Sequence, residues 1–380
     1  MITMIKASAT NFVDLKSQQE LIFSEINQAI QKVLAHGQYI LGPEVMDLEQ
    51  KLAQFCDAKY AVSCANGTDA IVLILITQNL KVNDAVFVPS FTYTATAEAV
   101  AKIGAQVVFI DVCPKTFNMD PESLKKGIAV AKGNGLNPKG IIPVDLFGQA
   151  ADYDVLLEIA EQNNLWVLCD AAQSFGASYK GKKIGSLGLA TSTSFFPSKP
   201  LGCYGDGGCI FTNNEELATT LRSLRFHGKG EGKDETIYIG TNSRLDTMQA
   251  AILLEKFKIF PKEIEQRQAI ANHYNAALQN FVEIPFIMNG CQSIWAQYTV
   301  KLSANHNREQ IQNTLQENGI PSRVYYFKPI HKQEPYKKYL TATPVLKNTD
   351  ELSQTLLSLP MHPYLDFSDD YAEKLVNALK

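Results

Sequence analysis

Between residues 60 and 213 the chain returns repeatedly to short, uninterrupted apolar runs rich in β-branched residues. They are YAVSC, AVFVPS, QVVFIDV, GIIPVDLFG, LWVLCD, ATSTSFF and GCIFTN. A strand with one wet face alternates apolar and polar positions, whereas a continuous run suits a strand covered on both faces. Segments with helical spacing, such as TATAEAVAKIGA and ADYDVLLEIAEQNN, lie between several of these runs. Strand–helix–strand repetition predicts a three-layer α/β arrangement around a mostly parallel sheet. In such sheets ligands bind in loops beyond the carboxyl ends of the strands.

After residue 213 the pattern turns helical. RLDTMQAAILLEKFKIF carries apolar residues at Leu245, Met248, Ile252 and Leu253 and continues through Pro261, which predicts a long, kinked helix leaving the sheet. From about residue 285 short strands (AQYTVKL, SRVYYF) mix with helices (REQIQNTLQENG). The division expected is a large domain over 1–265 and a smaller C-terminal α+β domain over 266–380. The N-terminal segment is left free to pack on the smaller one.

Composition adds boundaries to this picture. The chain has 380 residues, 46% hydrophobic and 19% charged, with a formal net charge of −4. Mild acidity gives no electrostatic footprint for nucleic acid or an anionic membrane. No apolar run approaches the roughly eighteen residues of a membrane-spanning helix, and MITMIKASATNFVDLKSQQE lacks a signal core. The seven cysteines form no CxxC pair. They read as reduced thiols of a cytoplasmic protein, with neither a disulfide framework nor a metal site.

Three strand-to-loop junctions carry candidate chemistry. In SCANGTDA, Gly67 lets a backbone approach a ligand, and the N–H groups of Gly67, Thr68 and Asp69 at a helix start face an anion such as phosphate. A simple helix cap at Asn66 or Thr68 explains the same letters. In LWVLCDAAQSFGA, Asp170 closes a buried strand, where a carboxylate needs a cation or donor: a pyridinium nitrogen, a metal or an arginine. A turn-capping role remains open for it. In SFFPSKPLGCYGDGG, Pro197 and Pro200 stiffen the backbone around Lys199 while four glycines permit tight turns. Such a backbone aims a side chain, and a desolvated, uncharged lysine amine forms a Schiff base with an aldehyde. Neither a P-loop nor a dinucleotide GxGxxG motif is present. Taken together, a phosphate seat, an acid for a ring nitrogen and a constrained lysine on one sheet fit pyridoxal phosphate.

NGTDA, PSFTYTATAEAV, DAAQSFGA, SFFPSKPLGCYGDGG and NSRLDTMQAAIL together resemble the DegT/DnrJ/EryC1/StrS nucleotide-sugar aminotransferases. The resemblance runs from GQYILGPEVMDLEQKLAQF to SLPMHPYL. It implies the fold-type-I pyridoxal-phosphate architecture, with a seven-stranded sheet. It also implies roles. Lys199 holds the cofactor and shuttles the proton, and Asp170 pairs with the ring nitrogen. Gln173 lies near the ring, and Gly67, Thr68 and Ser194 hold the phosphate. Tyr93 stacks on the ring in preference to Phe91. Asn242 reaches the cofactor phosphate of the neighbouring subunit, which makes a homodimer necessary, and Arg244 lies near the sugar.

Relatives carry HYPIPLHKQ where this chain has VYYFKPIHKQEPY. Tyr325 therefore stands at the usual histidine position, while Tyr326 and His331 are retained. Tyr325 and Tyr326 are expected at the substrate. Lys328 reads as a solvated charge or an anion contact, and His227 is a family position without an assigned role. The wording around Lys199 is closest to enzymes acting on UDP-linked 2-acetamido-3-oxo-glucuronates in surface-polysaccharide biosynthesis. The reaction implied moves an amino group from L-glutamate, leaving 2-oxoglutarate, to C3 of such a keto sugar. The alternatives are a C4-keto, 6-deoxy sugar carried on UDP or dTDP, a sugar dehydratase, and a non-catalytic regulatory homologue. Dehydratase relatives replace the lysine with histidine.

Overall fold

The computed structural model describes residues 10–380 with the exception of Lys233 and Ala304. Each of the seven runs overlaps a strand of one sheet, GIIPVDLFG only through Gly140 and Ile141: β1 (Tyr60–Cys64), β2 (Asp84–Pro89), β3 (Gln106–Ile110), β4 (Asn137–Ile141), β5 (Trp166–Asp170), β6 (Ala190–Ser194) and β7 (Gly208–Thr212). Their order is β1-β7-β6-β5-β4-β2-β3. β7 runs antiparallel to both β1 and β6, and the other neighbouring pairs are parallel. An eighth strand extends the seven expected: Leu340–Thr341 pairs in parallel with Val108 and Phe109 at the outer edge. Two residues are too few to show a period, so this strand leaves no trace in the sequence pattern.

Most of the strands are apolar because both faces are covered; β6 (ATSTS) is buried yet rich in serine and threonine, and β4 (NPKGI) is buried only at its end. Val86 and Val88 of β2 pack with the helices Gly67–Thr77 (α1) and Ala95–Lys102 (α2) on one face. Ala85 and Phe87 point to the other, where the helix Thr247–Leu278 (α3) contributes Leu253 and Phe260. α1 lies deep in its layer, with Ala70 to Leu75 all buried, which accounts for a helix apolar around its whole circumference.

α3 is a continuous helix of 32 residues with Pro261 inside it. The division expected at 265/266 falls within this helix. Its later turns supply Ile270, Tyr274 and Leu278 to a separate core with Tyr298, Val300, Leu315, Leu357, Leu359 and Leu375. That core is built on an antiparallel ladder between Tyr298–Lys301 and Leu356–Leu359. The N-terminal chain lies against it: Thr10 N–H donates to Gly319 O at 3.1 Å and Met361 N–H to Phe12 O at 3.3 Å.

Candidate active site

The sheet delivers its chemistry at the carboxyl ends of β1, β5 and β6. β1 ends at Cys64, and Asn66 caps α1 by accepting the Asp69 N–H on its Oδ1 at 2.8 Å. Asp69 was expected to offer that N–H to a ligand, but the cap consumes it. Gly67 and Thr68 are left, because the first N–H groups of a helix have no partner within it. Glycine at 67 is required by close approach: a Cβ there would lie 2.7 Å from the Ser194 Cβ. This contact sets the Ser194 hydroxyl at the end of β6 beside the α1 N-terminus. The far wall is equally tight, since a Cβ on Gly208 would lie 2.4 Å from Asn66 O.

Asp170 at the end of β5 is 4% exposed. Its Oδ2 accepts the Thr96 hydroxyl at 2.7 Å and its Oδ1 the Ala172 N–H at 3.2 Å. Burial pushes its pKa above the ordinary carboxylate value, and these two donors with the Lys199 charge oppose that rise. The two donors leave lone pairs for one further N–H.

Lys199 is half-buried in a loop closed at its base by Cys203 N–H to Phe195 O, 2.8 Å, and its own N–H donates to Phe196 O at 2.8 Å. Burial lowers the pKa of its amine, and the Asp170 carboxylate pulls the other way. A lysine amine with a depressed pKa is available as a nucleophile nearer neutral pH.

Gln173 bridges the sheet to the C-terminal region. Its Oε1 accepts the Phe147 N–H at 2.9 Å, and its Nε2 donates to the Tyr326 hydroxyl at 3.1 Å. The Tyr326 ring lies 6.5 Å from that of Tyr93 and 6.0 Å, edge-on, from Phe91. Tyr93 is 60% exposed and Phe91 only 1%, so Tyr93 presents a face and Phe91 fills core. Tyr325 packs 5.7 Å from Tyr326 and 6.3 Å from Phe12. Lys328 is exposed. His331 is tied beneath this group, with Nδ1 2.7 Å from Ser90 Oγ, in the segment that leads to Tyr93.

Asn242 and Arg244 flank Ser243, whose hydroxyl accepts the Ala65 N–H at 3.2 Å two residues before Gly67. Asn242 is exposed and pairs through its backbone with Phe226, and the Arg244 guanidinium lies 4.9 Å from the Phe226 ring centroid. His227 takes a left-handed backbone, φ 61°, in the same segment.

Two supporting residues escaped the sequence reading. Thr96 sits within PSFTYTATAEAV, where its position in the first turn of α2 was the only signal. Asp145, in GIIPVDLFG, is fully buried and accepts Ala151 N–H at 2.8 Å, Tyr153 OH at 2.7 Å and Ser174 Oγ–H at 2.7 Å. Its N–H donates to Asp170 O at 3.0 Å, so it ties the 145–151 loop to the 170–174 segment that carries both Asp170 and Gln173. Burial raises its pKa to about 7.

The donor set fits pyridoxal phosphate. The Gly67–Thr68–Ser194 corner has no room for a side chain and could seat a phosphate, Asp170 retains acceptor capacity for a protonated ring nitrogen, and Lys199 could offer the amine.

Residues 20–380 match the DegT/DnrJ/EryC1/StrS aminotransferase family. The chain is 49% identical, over 93% of its length and 96% of the relative's, to the UDP-2-acetamido-2-deoxy-3-oxo-D-glucuronate aminotransferase of Pseudomonas aeruginosa. It is 39% identical to the pleiotropic regulatory protein of Geobacillus stearothermophilus over 93% of both chains. A crystal structure of a DegT DnrJ EryC1 StrS aminotransferase from Brucella abortus superimposes with a TM-score of 0.94 at 48% identity, covering 97% of this chain and 98% of that one. The chain belongs to the DegT/DnrJ/EryC1/StrS aminotransferase family.

Proposed function

We propose that this protein is a pyridoxal-phosphate-dependent aminotransferase acting on a nucleotide sugar, and that it aminates C3 of a UDP-linked 2-acetamido-3-oxo sugar, a uronic acid. The observation that carries the substrate class is the 49% identity to the glucuronate aminotransferase across nearly the whole of both chains. We take L-glutamate as the amine donor and the cytoplasm as the site of action. All seven cysteines are free, and no helix among the described residues is long and apolar enough to cross a membrane.

The bound cofactor supplies an aldehyde for amine exchange and a ring that takes up electron density. Gly67, Thr68 and Ser194 hold its phosphate by backbone and hydroxyl donors at the positive end of α1. Asp170 keeps a proton on the ring nitrogen; Thr96 and Ala172 hold its carboxylate in place for that bond. Lys199 would hold the cofactor through its amine, and when free that amine would move a proton to and from the reacting carbon. Tyr93 would stack on the ring, and Gln173 holds the hydroxyl of Tyr326, which would face the substrate. Apart from Tyr326, these groups lie at the carboxyl ends of β1, β2, β5 and β6 or in the loops that follow them, so one sheet sets their spacing.

The site is completed by a second copy. Asn242 follows an exposed apolar stretch, Ile237, Tyr238 and Ile239, the last 93% exposed. A stretch of this kind suits burial in a homodimer, which would deliver Asn242 to the neighbouring cofactor. Arg244, without an acidic partner among the described residues, would meet the sugar carboxylate. A regulatory role has support in the Geobacillus relative's name. The complete set of Lys199, Asp170 and the phosphate seat favours catalysis, and Lys199 weighs against a dehydratase.

The test converts the enzyme to its aminated form with L-glutamate and offers it a panel of keto-sugar nucleotides. UDP-2-acetamido-3-oxo-glucuronate should restore visible absorbance fastest. Faster restoration by a 4-keto-6-deoxy sugar nucleotide would overturn the C3 assignment.

A further inference from the structure

The helix α3 carries a lysine with no place in the chemistry just described. Lys256 is 1% exposed, and its Nζ donates to Gly202 O at 2.7 Å while lying 4.2 Å from the Tyr204 ring centroid. It forms no ion pair among the described residues. A buried ammonium satisfied by one carbonyl and one aromatic face is costly. Burial lowers its pKa to about 8, with Glu263 opposing, so it is still mainly charged at neutral pH. Two turns earlier, Gln249 accepts the Tyr204 N–H on its Oε1 at 2.8 Å. Positions 249 and 256, seven apart, share one helix face, and both grip the segment Gly202–Tyr204.

That segment is the underside of the Lys199 turn. A Cβ on Gly202 would lie 2.5 Å from Pro197 O and 2.7 Å from Phe196 O. Phe196 O is the acceptor of the Lys199 N–H. The path is therefore short: Lys256 holds the Gly202 carbonyl, Gly202 is packed against the Phe196 and Pro197 carbonyls, and Phe196 O fixes the Lys199 backbone.

We infer that Lys256 is a positioning residue for Lys199, holding the turn from below so that the cofactor-binding amine has one location instead of several. The inference rests on the reading of Lys199 as the cofactor lysine. Gln249 assists at the second point of grip. Loss of the Lys256 bond frees Gly202 and spreads Lys199 over more positions. Both cofactor capture and the proton shuttle then weaken, while the sugar and glutamate contacts, made by other residues, are unaffected.

The experiment compares wild type, Lys256→Met and Lys256→Arg as full-length protein. Three quantities are read: apparent Kd for pyridoxal phosphate by absorbance titration of the apo form, kcat with both KM values, and the apo melting temperature. Removing a charged donor should raise the cofactor Kd and lower kcat by about tenfold each, with both KM values within about twofold of wild type. Lys256→Arg, which keeps a charged donor, should recover most of the loss. Unchanged cofactor Kd and kcat in a folded Lys256→Met protein would overturn the inference, as would an equal rise in KM. If Lys256→Met does not fold, Gln249→Ala replaces it, since it releases the same segment without removing a charge. A cofactor Kd raised at least about threefold then supports the inference, and an unchanged one contradicts it. Failure of wild type itself to place cofactor on Lys199 would instead refute the underlying function.

Discussion

The Thr96 hydroxyl lies 2.7 Å from Oδ2 of Asp170, with both side chains buried. The contact joins the first turn of α2 to the end of β5 across 74 positions of sequence. It gives the carboxylate a neutral donor that lowers its pKa against the effect of burial.

Replacing Thr96 with valine keeps the shape and removes the donor. The Asp170 pKa, already raised, rises further, so the carboxylate is lost at a higher pH. The acidic limb of the kcat/KM profile should move to higher pH, and activity at neutral pH should fall about tenfold. A pH–rate profile of Thr96→Val checks this; an unmoved limb would remove Thr96 from the machinery.

Gly67→Ala should act through the phosphate seat. The added Cβ meets the Ser194 Cβ at 2.7 Å, so Ser194 or the α1 N-terminus must shift. Overpacking of this kind costs about 1–3 kcal/mol. Much of that should appear as weaker cofactor binding, about tenfold or more in Kd by absorbance titration. A variant that binds pyridoxal phosphate as wild type does would place the phosphate elsewhere.

Arg244→Ala should raise KM for the uronate sugar nucleotide about tenfold while leaving KM for glutamate within about twofold. Steady-state kinetics in both substrates separates the two. An unchanged sugar KM would take Arg244 out of the pocket.

His362 gives a pH dependence unrelated to catalysis. Its ring is buried, with Nε2 3.1 Å from Asn11 O, and burial lowers its pKa to about 4. The folded state therefore resists a proton that the unfolded chain accepts near pH 6.5. Stability from this group is complete above that pH and is lost as pH falls from about 6.5 towards 4, by up to ~3 kcal/mol. Denaturant unfolding of wild type and His362→Gln across that window should show the steeper loss in wild type. Parallel pH dependences would contradict the assignment.

How much of this was legible in the sequence depended on the range of each interaction. β1, β2, β3, β5 and β7 could be read because two-sided burial makes each a largely apolar run, whereas β4 (NPKGI) and β6 (ATSTS) were reached through the apolar residues that follow them. The Leu340–Thr341 strand could not, because its place depends on the edge of β3 and not on its own pattern. Lys199, Asp170 and Gly67 announced themselves through local constraint: prolines, a strand end and a glycine before a helix. Thr96 and Lys256 act on residues 74 and 54 positions away, and nothing local marks them. At Asp69 a local rule misled, since a free N–H was expected where the Asn66 side chain already accepts it. Asn242 and Arg244 carry no local constraint of this kind, and the roles proposed for them involve a second copy and the sugar respectively.

The central claim is that the Lys199 amine is the covalent anchor of the cofactor. Borohydride reduction of the pyridoxal-phosphate-loaded enzyme, followed by peptide mass spectrometry, tests it most directly. The reduced cofactor should be found on the peptide containing Lys199, and Lys199→Ala should carry none while keeping a wild-type circular dichroism spectrum. An adduct on a different lysine, or no adduct on the loaded wild-type enzyme, would contradict the account.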